Sequence, residues 1–277
     1  MKPYKAISTL KLRLSAGMTG QQDGIGDYVH LARYNITSNP SYLYNMGNSN
    51  YVYPITPQAY DPTIRWETTV TYNAGIDYGF FDDRLSGSVD AYISDTKDLL
   101  NSVQVPMGAS FGNKLTTNVG SIRNKGLEFS INAIPVQRPD WSIQISLNGA
   151  FQNTVFTKLN PTEDDSYYIE VGNISKGTGG YLSRQMTGYA PYTYYLYQQK
   201  YDTTGHPVQN EFVDRDGDGH ITENDRYMTG KSPSPKFFYG LSLKASYKDW
   251  DFGLNGHGAA GTWVFNDFAS ANSTASL

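Results

Sequence analysis

The chain has 277 residues, with 22 Lys and Arg against 26 Asp and Glu, a net charge of −4, and no Cys. A net acidic chain lacks the basic surface of a nucleic-acid binder, and without Cys there is no disulfide scaffold, thiolate-ligated metal or thiol nucleophile. Mean hydropathy is −0.50, and no run approaches the ~18 apolar residues of a membrane helix. That excludes a helical membrane protein but not a β-barrel, which hides its polar half in a wet lumen.

The chain enters patterned sequence directly after Met1-Lys2-Pro3-Tyr4, without the basic start and apolar stretch of a secretory signal. It closes on the polar stretch Ala271 to Leu277, so both ends read as those of a segment of something longer. Between them the period is two. Leu10, Leu12, Leu14 and Met18 alternate with Lys11, Arg13 and Ser15. From Ile64 to Phe80 the even positions are Ile, Trp, Thr, Val, Tyr, Ala, Ile, Tyr and Phe, against a polar odd set. Leu85, Val89, Ala91 and Ile93 continue in the odd phase, followed by Leu127, Phe129, Ile131 and Ala133. Trp141, Ile143, Ile145, Leu147 and Phe151 form the next set, then Phe237 to Tyr247, and last Trp250, Phe252 and Leu254. Strict alternation marks a strand with one apolar face. Seven strands are predicted, and no helix.

Alternation alone suits a soluble β-sandwich as well as a barrel. Two features favour the barrel. Trp141 to Phe151 and Phe237 to Tyr247 each place aromatics ten residues apart, about 25 Å along a tilted strand, the height of an outer-membrane apolar band between its girdles. The connections also alternate. Short ones fall around Asp82-Asp83, Pro135 to Asp140 and Lys248-Asp249, and long ones run about Thr19 to Pro62, Asp95 to Ser121 and Val155 to Lys236. Short periplasmic turns opposite long outer loops are the barrel pattern. The expected fold is all-β: seven or eight antiparallel strands of a larger transmembrane β-barrel, forming one partial barrel domain over residues 1–277.

The stretch Trp66-Glu67-Thr68-Thr69 followed by Asn73 to Ser88 (NAGIDYGFFDDRLSGS) resembles the barrel of SusC/RagA-type TonB-dependent transporters. So do Asn118 to Glu128 (NVGSIRNKGLE), Leu12 to Gly20, the acidic loop from Asp214 to Asp225, and Gly230-Lys231-Ser232-Pro233-Ser234-Pro235 ahead of a strand containing Gly240. Together these cover about residues 10–265 in the family's order. The resemblance implies a carboxy-proximal piece of a barrel of about 22 strands in the outer membrane. It also implies a TonB complex reached through N-terminal parts outside this chain, a SusD-like surface lipoprotein as lid, and an oligosaccharide or peptide substrate.

The strongest local chemistry is Asp214-Arg215-Asp216-Gly217-Asp218-Gly219-His220-Ile221-Thr222-Glu223-Asn224-Asp225. It fits a twelve-residue Ca²⁺ loop: carboxylates of Asp214, Asp216 and Asp218 at positions 1, 3 and 5, Gly219 at the sharp turn, the His220 carbonyl, Thr222 and Asp225. Asp replaces the usual bidentate Glu at the last position, which points to weaker affinity. Gly230 and Pro233 follow closely, so a helix-swinging sensor is not expected and the ion would pin an outer loop. The plainer reading is an acidic solvated turn.

Tyr34, Tyr42, Tyr44, Tyr51, Tyr53 and Tyr60 crowd the first long loop, and Tyr167 to Tyr201 the third. Tyr192, Tyr194, Tyr195 and Tyr197 are candidates for substrate or partner contact, since a flat face with a hydroxyl stacks on sugars and buries well at interfaces. For any single Tyr, packing within a loop or in the girdle is the plainer reading. Whether 181–201 is an eighth strand or a folded loop stays open. No catalytic set stands out: none of the four His sits in a nucleophile setting, and Glu67 and Asp77 are ten residues apart on one strand. Gly177-Thr178-Gly179-Gly180 lacks the Lys of a phosphate loop. The leading expectation is a wall segment of an importer and not an enzyme. Behind it stand a soluble calcium-stabilised carbohydrate-binding β-sandwich and a fragment of a glycan-degrading enzyme.

Overall fold

A computed structural model describes residues 6–36, 39–48, 51–53, 55–105, 114–160, 166–174 and 180–268. The seven predicted strands all form: β1 (Ile7–Gln21), β2 (Glu67–Phe80), β3 (Leu85–Lys97), β4 (Ser121–Arg138), β5 (Trp141–Lys158), β6 (Phe237–Tyr247) and β7 (Trp250–Ala260). They make one antiparallel sheet in which each strand pairs with the next in the chain. Their length follows from the uninterrupted alternation. β4 and β5 run 18 residues each, about three times the usual strand.

Register turns that alternation into two chemically distinct faces. Leu14, Ala74, Ala91, Leu127, Phe151, Phe237 and Ala260 lie in one row across all seven strands. Two residues along, the row is Leu12, Ile76, Val89, Phe129, Gly149, Tyr239 and Gly258. On the opposite face one row reads Lys11, Asp77, Ser88, Ser130, Asn148, Gly240 and His257. The apolar face is bounded by Trp141 against Tyr247, ring centroids 5.2 Å apart, and by Phe151 stacked on Phe237 at 4.2 Å. The ten-residue spacing therefore places one aromatic pair at each end of β5 and β6.

No second layer covers the apolar face among the described residues. Leu10, Leu12, Leu14 and Met18 are 67–74% exposed, while only Phe156 and Leu159 form a buried apolar pair. A water-soluble domain does not leave so wide an apolar sheet bare. Among the described residues β1 and β7 each pair on one side only, and in lipid a sheet must close to satisfy such edges.

The polar face holds an ion triad and a hollow. Arg13 reaches Asp77 at 2.9 Å and Asp90 at 2.8 Å, linking three strands. Gly75 stands opposite both Arg13 and Asp90, and the Asp90 carboxylate fills the place a side chain there would take. Beside the triad a hollow of about 680 Å³ is lined by Ser88, Asp90, Glu128, Asn148, Phe238 and His257.

Boundaries differ from the sequence reading at β2 and at β4. β2 begins at Glu67 and not at Ile64. Ile64 closes a turn onto the Asp61 carbonyl, and Asn118 holds both the N–H and the carbonyl of Arg65, each at 2.7 Å. β4 passes through Pro135 to Arg138. Its register slips between Ala133 and Val136, and Arg84 donates to the Ile134 and Pro135 carbonyls, so the proline sits in a bulge and does not end the strand. The bulge shifts the phase, so Val136 pairs with Ile143 on the apolar face.

Residues 181–201 fold as part of the third loop, not as an eighth barrel strand. Gly188 and Tyr192 both take positive φ and break the stretch into Tyr181–Met186 and Thr193–Tyr197. These join Tyr168–Asn173 and Arg226–Met228 in a four-stranded sheet, while Gln199–Tyr201 pairs with Pro207–Phe212. Phe156 and Gly188 anchor this loop on the end of β5 through bonds from Phe156 N–H to the Tyr189 carbonyl and from Gly188 N–H to the Phe156 carbonyl. Residues 177–179 of the glycine run and both chain ends fall outside the described residues.

Candidate functional site

The third loop brings the sequence-predicted residues into one neighbourhood. One carboxylate oxygen from each of Asp214, Asp216 and Asp218 lies within 4.8 Å of the others. Backbone donors shape the turn. The Asp214 oxygens accept from Gly217 N–H at 2.6 Å and Gly219 N–H at 2.8 Å, and Asp218 accepts from His220 N–H at 2.7 Å. Gly217 and Gly219 have φ of 78° and 82°, which explains both glycines. Three like charges held this close repel one another unless water or a counter-ion screens them.

Asp225 lies outside that trio and works as a cap. It is fully buried. One oxygen accepts from Arg215 N–H at 2.6 Å, the other from Thr222 N–H at 2.7 Å. Thr222 in turn caps the short turn Glu223–Asp225, accepting from Asn224 N–H. His220 offers its backbone at the turn. The Thr222 N–H bond first, then that of Arg215, hold the Asp225 carboxyl below the usual carboxylate range.

The sign follows directly. Folding favours ionised Asp225, so its contribution is whole above the unfolded value near ~3.9 and is lost as pH falls through the lower folded value. Hydrogen-exchange protection of the Arg215 and Thr222 amides should therefore persist from neutral pH to below about 4 and then collapse. Asp225→Asn should abolish it at pH 7, because an amide replaces one acceptor with a donor facing an N–H. Retained protection in that variant contradicts the assignment.

Arg226, next in the chain, ties the acidic turn to the tyrosine strand. Its guanidinium donates to the carbonyls of Tyr181 and Tyr195, and its Cζ lies 4.5 Å from the Tyr195 ring. Arg184 also stacks on Tyr195, 3.6 Å from the centroid, and on Tyr168 at 3.7 Å. The Tyr195 hydroxyl donates to the Glu223 carbonyl at 3.3 Å. Cation–π contacts of this kind each contribute about 0.5–1 kcal/mol at exposed sites. Tyr195 is thus a structural pin between loop and turn.

The other three tyrosines part ways. Tyr192 is a half-exposed turn residue with φ of 57°. Tyr194 and Tyr197 line an open groove of about 500 Å³ with Tyr227, Lys231 and Trp263. Sequence reasoning missed Tyr227, Lys231 and Trp263. Lys231 and Trp263 are 32 residues apart and meet only because the segment after β7 folds back on the third loop, where Trp263 N–H donates to the Ser232 carbonyl at 3.1 Å. No local pattern records that contact.

A sheet whose apolar face no described residue covers, with aromatic pairs at its two boundaries, a polar opposite face and all long loops at one end, is a wall segment of a transmembrane β-barrel. The sequence profile described as TonB dependent receptor-like, beta-barrel, matches residues 4–276, and the chain belongs to this family of the outer membrane. It is 39% identical over 271 residues to TonB-dependent receptor SusC of Bacteroides thetaiotaomicron, covering 98% of this chain and 27% of that protein. TonB-dependent receptor P3 of Formosa agariphila is 28% identical, over 100% of this chain and 29% of that protein. Among solved structures, the RagAB peptide importer in its open-open state superimposes with a TM-score of 0.74 at 26% identity, covering 94% of this chain and 27% of the other. The chain therefore spans a little over a quarter of the length of the relatives it matches.

Proposed function

We propose that this chain forms part of the wall of a TonB-dependent importer that carries oligosaccharides or peptides across the outer membrane. The observation that carries the reading is the two-faced sheet: continuous apolar rows that no described residue covers, backed by a polar face with a hollow. A lipid-facing outside and a wet lumen demand that pattern. A soluble sandwich needs a second sheet over the apolar rows. Support for transport comes from the relatives, which are named as TonB-dependent receptors and, for RagAB, as a peptide transporter. The TonB complex acts through parts of the protein outside this chain. A SusD-like lipoprotein closes over the tyrosine-rich outer loops. Disrupting the gene should abolish energised accumulation of labelled oligosaccharides or peptides, and restoring it should recover uptake. Uptake unchanged in the disrupted strain, or indifferent to the proton-motive force, defeats the proposal.

Ca²⁺ belongs to the same reading as a structural ion at Asp214, Asp216 and Asp218, with the His220 carbonyl as a further oxygen, while Thr222 and Asp225 brace the loop from outside the trio. The clustered carboxylates and the two left-handed glycines support it. Calorimetry on the detergent-folded protein should show Ca²⁺ uptake that Asp216→Ala removes, with loss of order in the turn. No uptake, together with an unchanged turn in Asp216→Ala, rules the ion out.

A further inference from the structure

The apolar face of the sheet is hollowed where β1, β2 and β3 place alanines side by side. Ala74 and Ala91 share a row with Leu14, and Ala16 lies in the next row outward with Tyr72 and Ile93. These six, with the residues between them along each strand, line an open hollow of about 570 Å³. The alanines keep its floor low, and the exposed Leu14, Tyr72 and Ile93 rise around it. A volume of this order suits one small-molecule occupant, and on a lipid face the molecule at hand is a lipid chain.

Cations stand directly beyond the hollow, on the side of the long loops. Lys125 is exposed and pairs with Ile93 in the hollow's outer row. Arg123 and Asp95 face each other one row further out, and Lys97 lies in the row after that. All four keep the phase of the apolar face, each an even number of residues from Ala91 or Leu127 on its own strand. Asp95 takes Arg123 Nε at 2.6 Å and Nη2 at 3.0 Å, which fixes the guanidinium and leaves Nη1 to donate elsewhere. Lys125 has no acidic partner among the described residues. Three cations against one carboxylate leave the patch positive. In the rows of Lys125 and Arg123, β1, β2 and β5 contribute only uncharged residues, so charge there is confined to β3 and β4. A cation on a lipid face is tolerated near the interface, where a long side chain reaches the headgroups.

We infer that this face holds one phosphorylated lipid of the outer leaflet, with an acyl chain in the alanine hollow and its phosphate on Lys125, Arg123 and Lys97. Charge complementarity selects the headgroup: Arg presents a fork to phosphate oxygens, and each Lys adds a point charge. The hollow selects a lipid over free phosphate, which gains nothing from an apolar floor. A second copy packing this patch against itself would set three cations on three. The inference goes beyond import, because the site lies on the outside of the wall and takes no part in what crosses the lumen.

The test uses the intact protein in dodecyl maltoside. Native mass spectrometry counts bound lipid and follows titrations with monophosphoryl lipid A, its dephosphorylated form and inorganic phosphate. Monophosphoryl lipid A should be retained and should bind about tenfold or more tightly than the dephosphorylated form. Lys97→Gln and Lys125→Gln should each weaken it about fivefold, the share of one basic residue at an anionic lipid. Ala74→Leu fills the hollow with another apolar side chain. It should weaken the lipid about tenfold, with an unchanged circular dichroism spectrum and unchanged yield in the outer membrane. Lys244→Gln, on the polar face, should change nothing. The proposal is overturned if no lipid is retained, if the dephosphorylated form binds as tightly, or if the combined lysine variant or Ala74→Leu binds as the parent does. A dimer that Ala74→Leu dissociates, with no lipid bound, assigns the face to a second copy and overturns it. Inorganic phosphate binding as tightly as the lipid reduces the site to an anion contact and overturns it as well.

Discussion

Leu241→Arg is expected to keep the sheet out of the membrane, whereas Ser242→Arg, one residue further, is expected to assemble. Leu241 lies in the row Leu10, Tyr78, Gly87, Ile131, Leu147, Leu241 and Gly256, between the two aromatic boundaries. An Arg at the midplane of a barrel's lipid face costs about 2–4 kcal/mol. That is a large part of the 5–15 kcal/mol by which folded domains typically exceed their unfolded state. Ser242 belongs to the opposite row, with Thr9, Gly79, Ser86, Asn132, Ser146 and Asn255, where a guanidinium meets water and polar neighbours. The urea midpoint for folding into liposomes, and the amount of protein in the outer-membrane fraction, measure the difference. Equal behaviour of the two variants contradicts the assignment of faces.

Gly126→Val should be a strongly damaging small substitution on the polar face. Gly126 pairs with Tyr92 on β3 and Gln152 on β5. A Cβ there would lie 2.6 Å from the Phe151 carbonyl oxygen and 2.7 Å from carbons of the Tyr92 ring, so either the strand or the ring has to move. Overpacking of this kind costs about 1–3 kcal/mol. The same device recurs: the Phe129 ring lies over its partner Gly149, and the Tyr239 ring over Gly258. Covering a cross-strand glycine with an aromatic ring protects its backbone and fixes register. Gly253→Val, with open space around the new Cβ, serves as the comparison and should shift the denaturation midpoint far less.

The strands were legible because their signal is local and repeated. Alternation over ten or more residues leaves no other way to segregate Leu, Val and Phe from Ser, Asn and Asp, and the register then follows from short turns such as Pro139-Asp140. Pro135 misled for a physical reason. A missing N–H reads as a break, and it is Arg84, in the turn between β2 and β3, that supplies side-chain donors to the bulge. The acidic turn was legible as a motif with fixed spacing, yet the capping role of Asp225 depends on which backbone N–H groups face it in three dimensions. The groove was least legible. Tyr194 and Tyr197 stood out by composition, but Lys231 and Trp263 acquire meaning only where two loops touch.

The resemblance to the SusC/RagA family, first carried by short runs such as Asn118 to Glu128, gains a physical basis from the fold. Asn118 holds the entry of β2, Gly120 takes φ of 104° to turn into β4, and Arg123 makes a bidentate pair with Asp95 on β3. Gly126 lies under Tyr92. Each of these positions answers a need of the sheet rim, which is why an order of small motifs identifies the family better than any one of them.

The absence of Cys from this chain allows the most direct test of the two-faced sheet. Single cysteines placed along β6 from Leu241 to Ser246, in the intact protein in native outer membranes, are labelled with a membrane-impermeant maleimide after permeabilisation. A barrel wall predicts reaction at Ser242, Lys244 and Ser246, with Leu241, Leu243 and Ala245 protected until detergent is added. Uniform labelling of all six positions without detergent would show both faces in water and contradict the account.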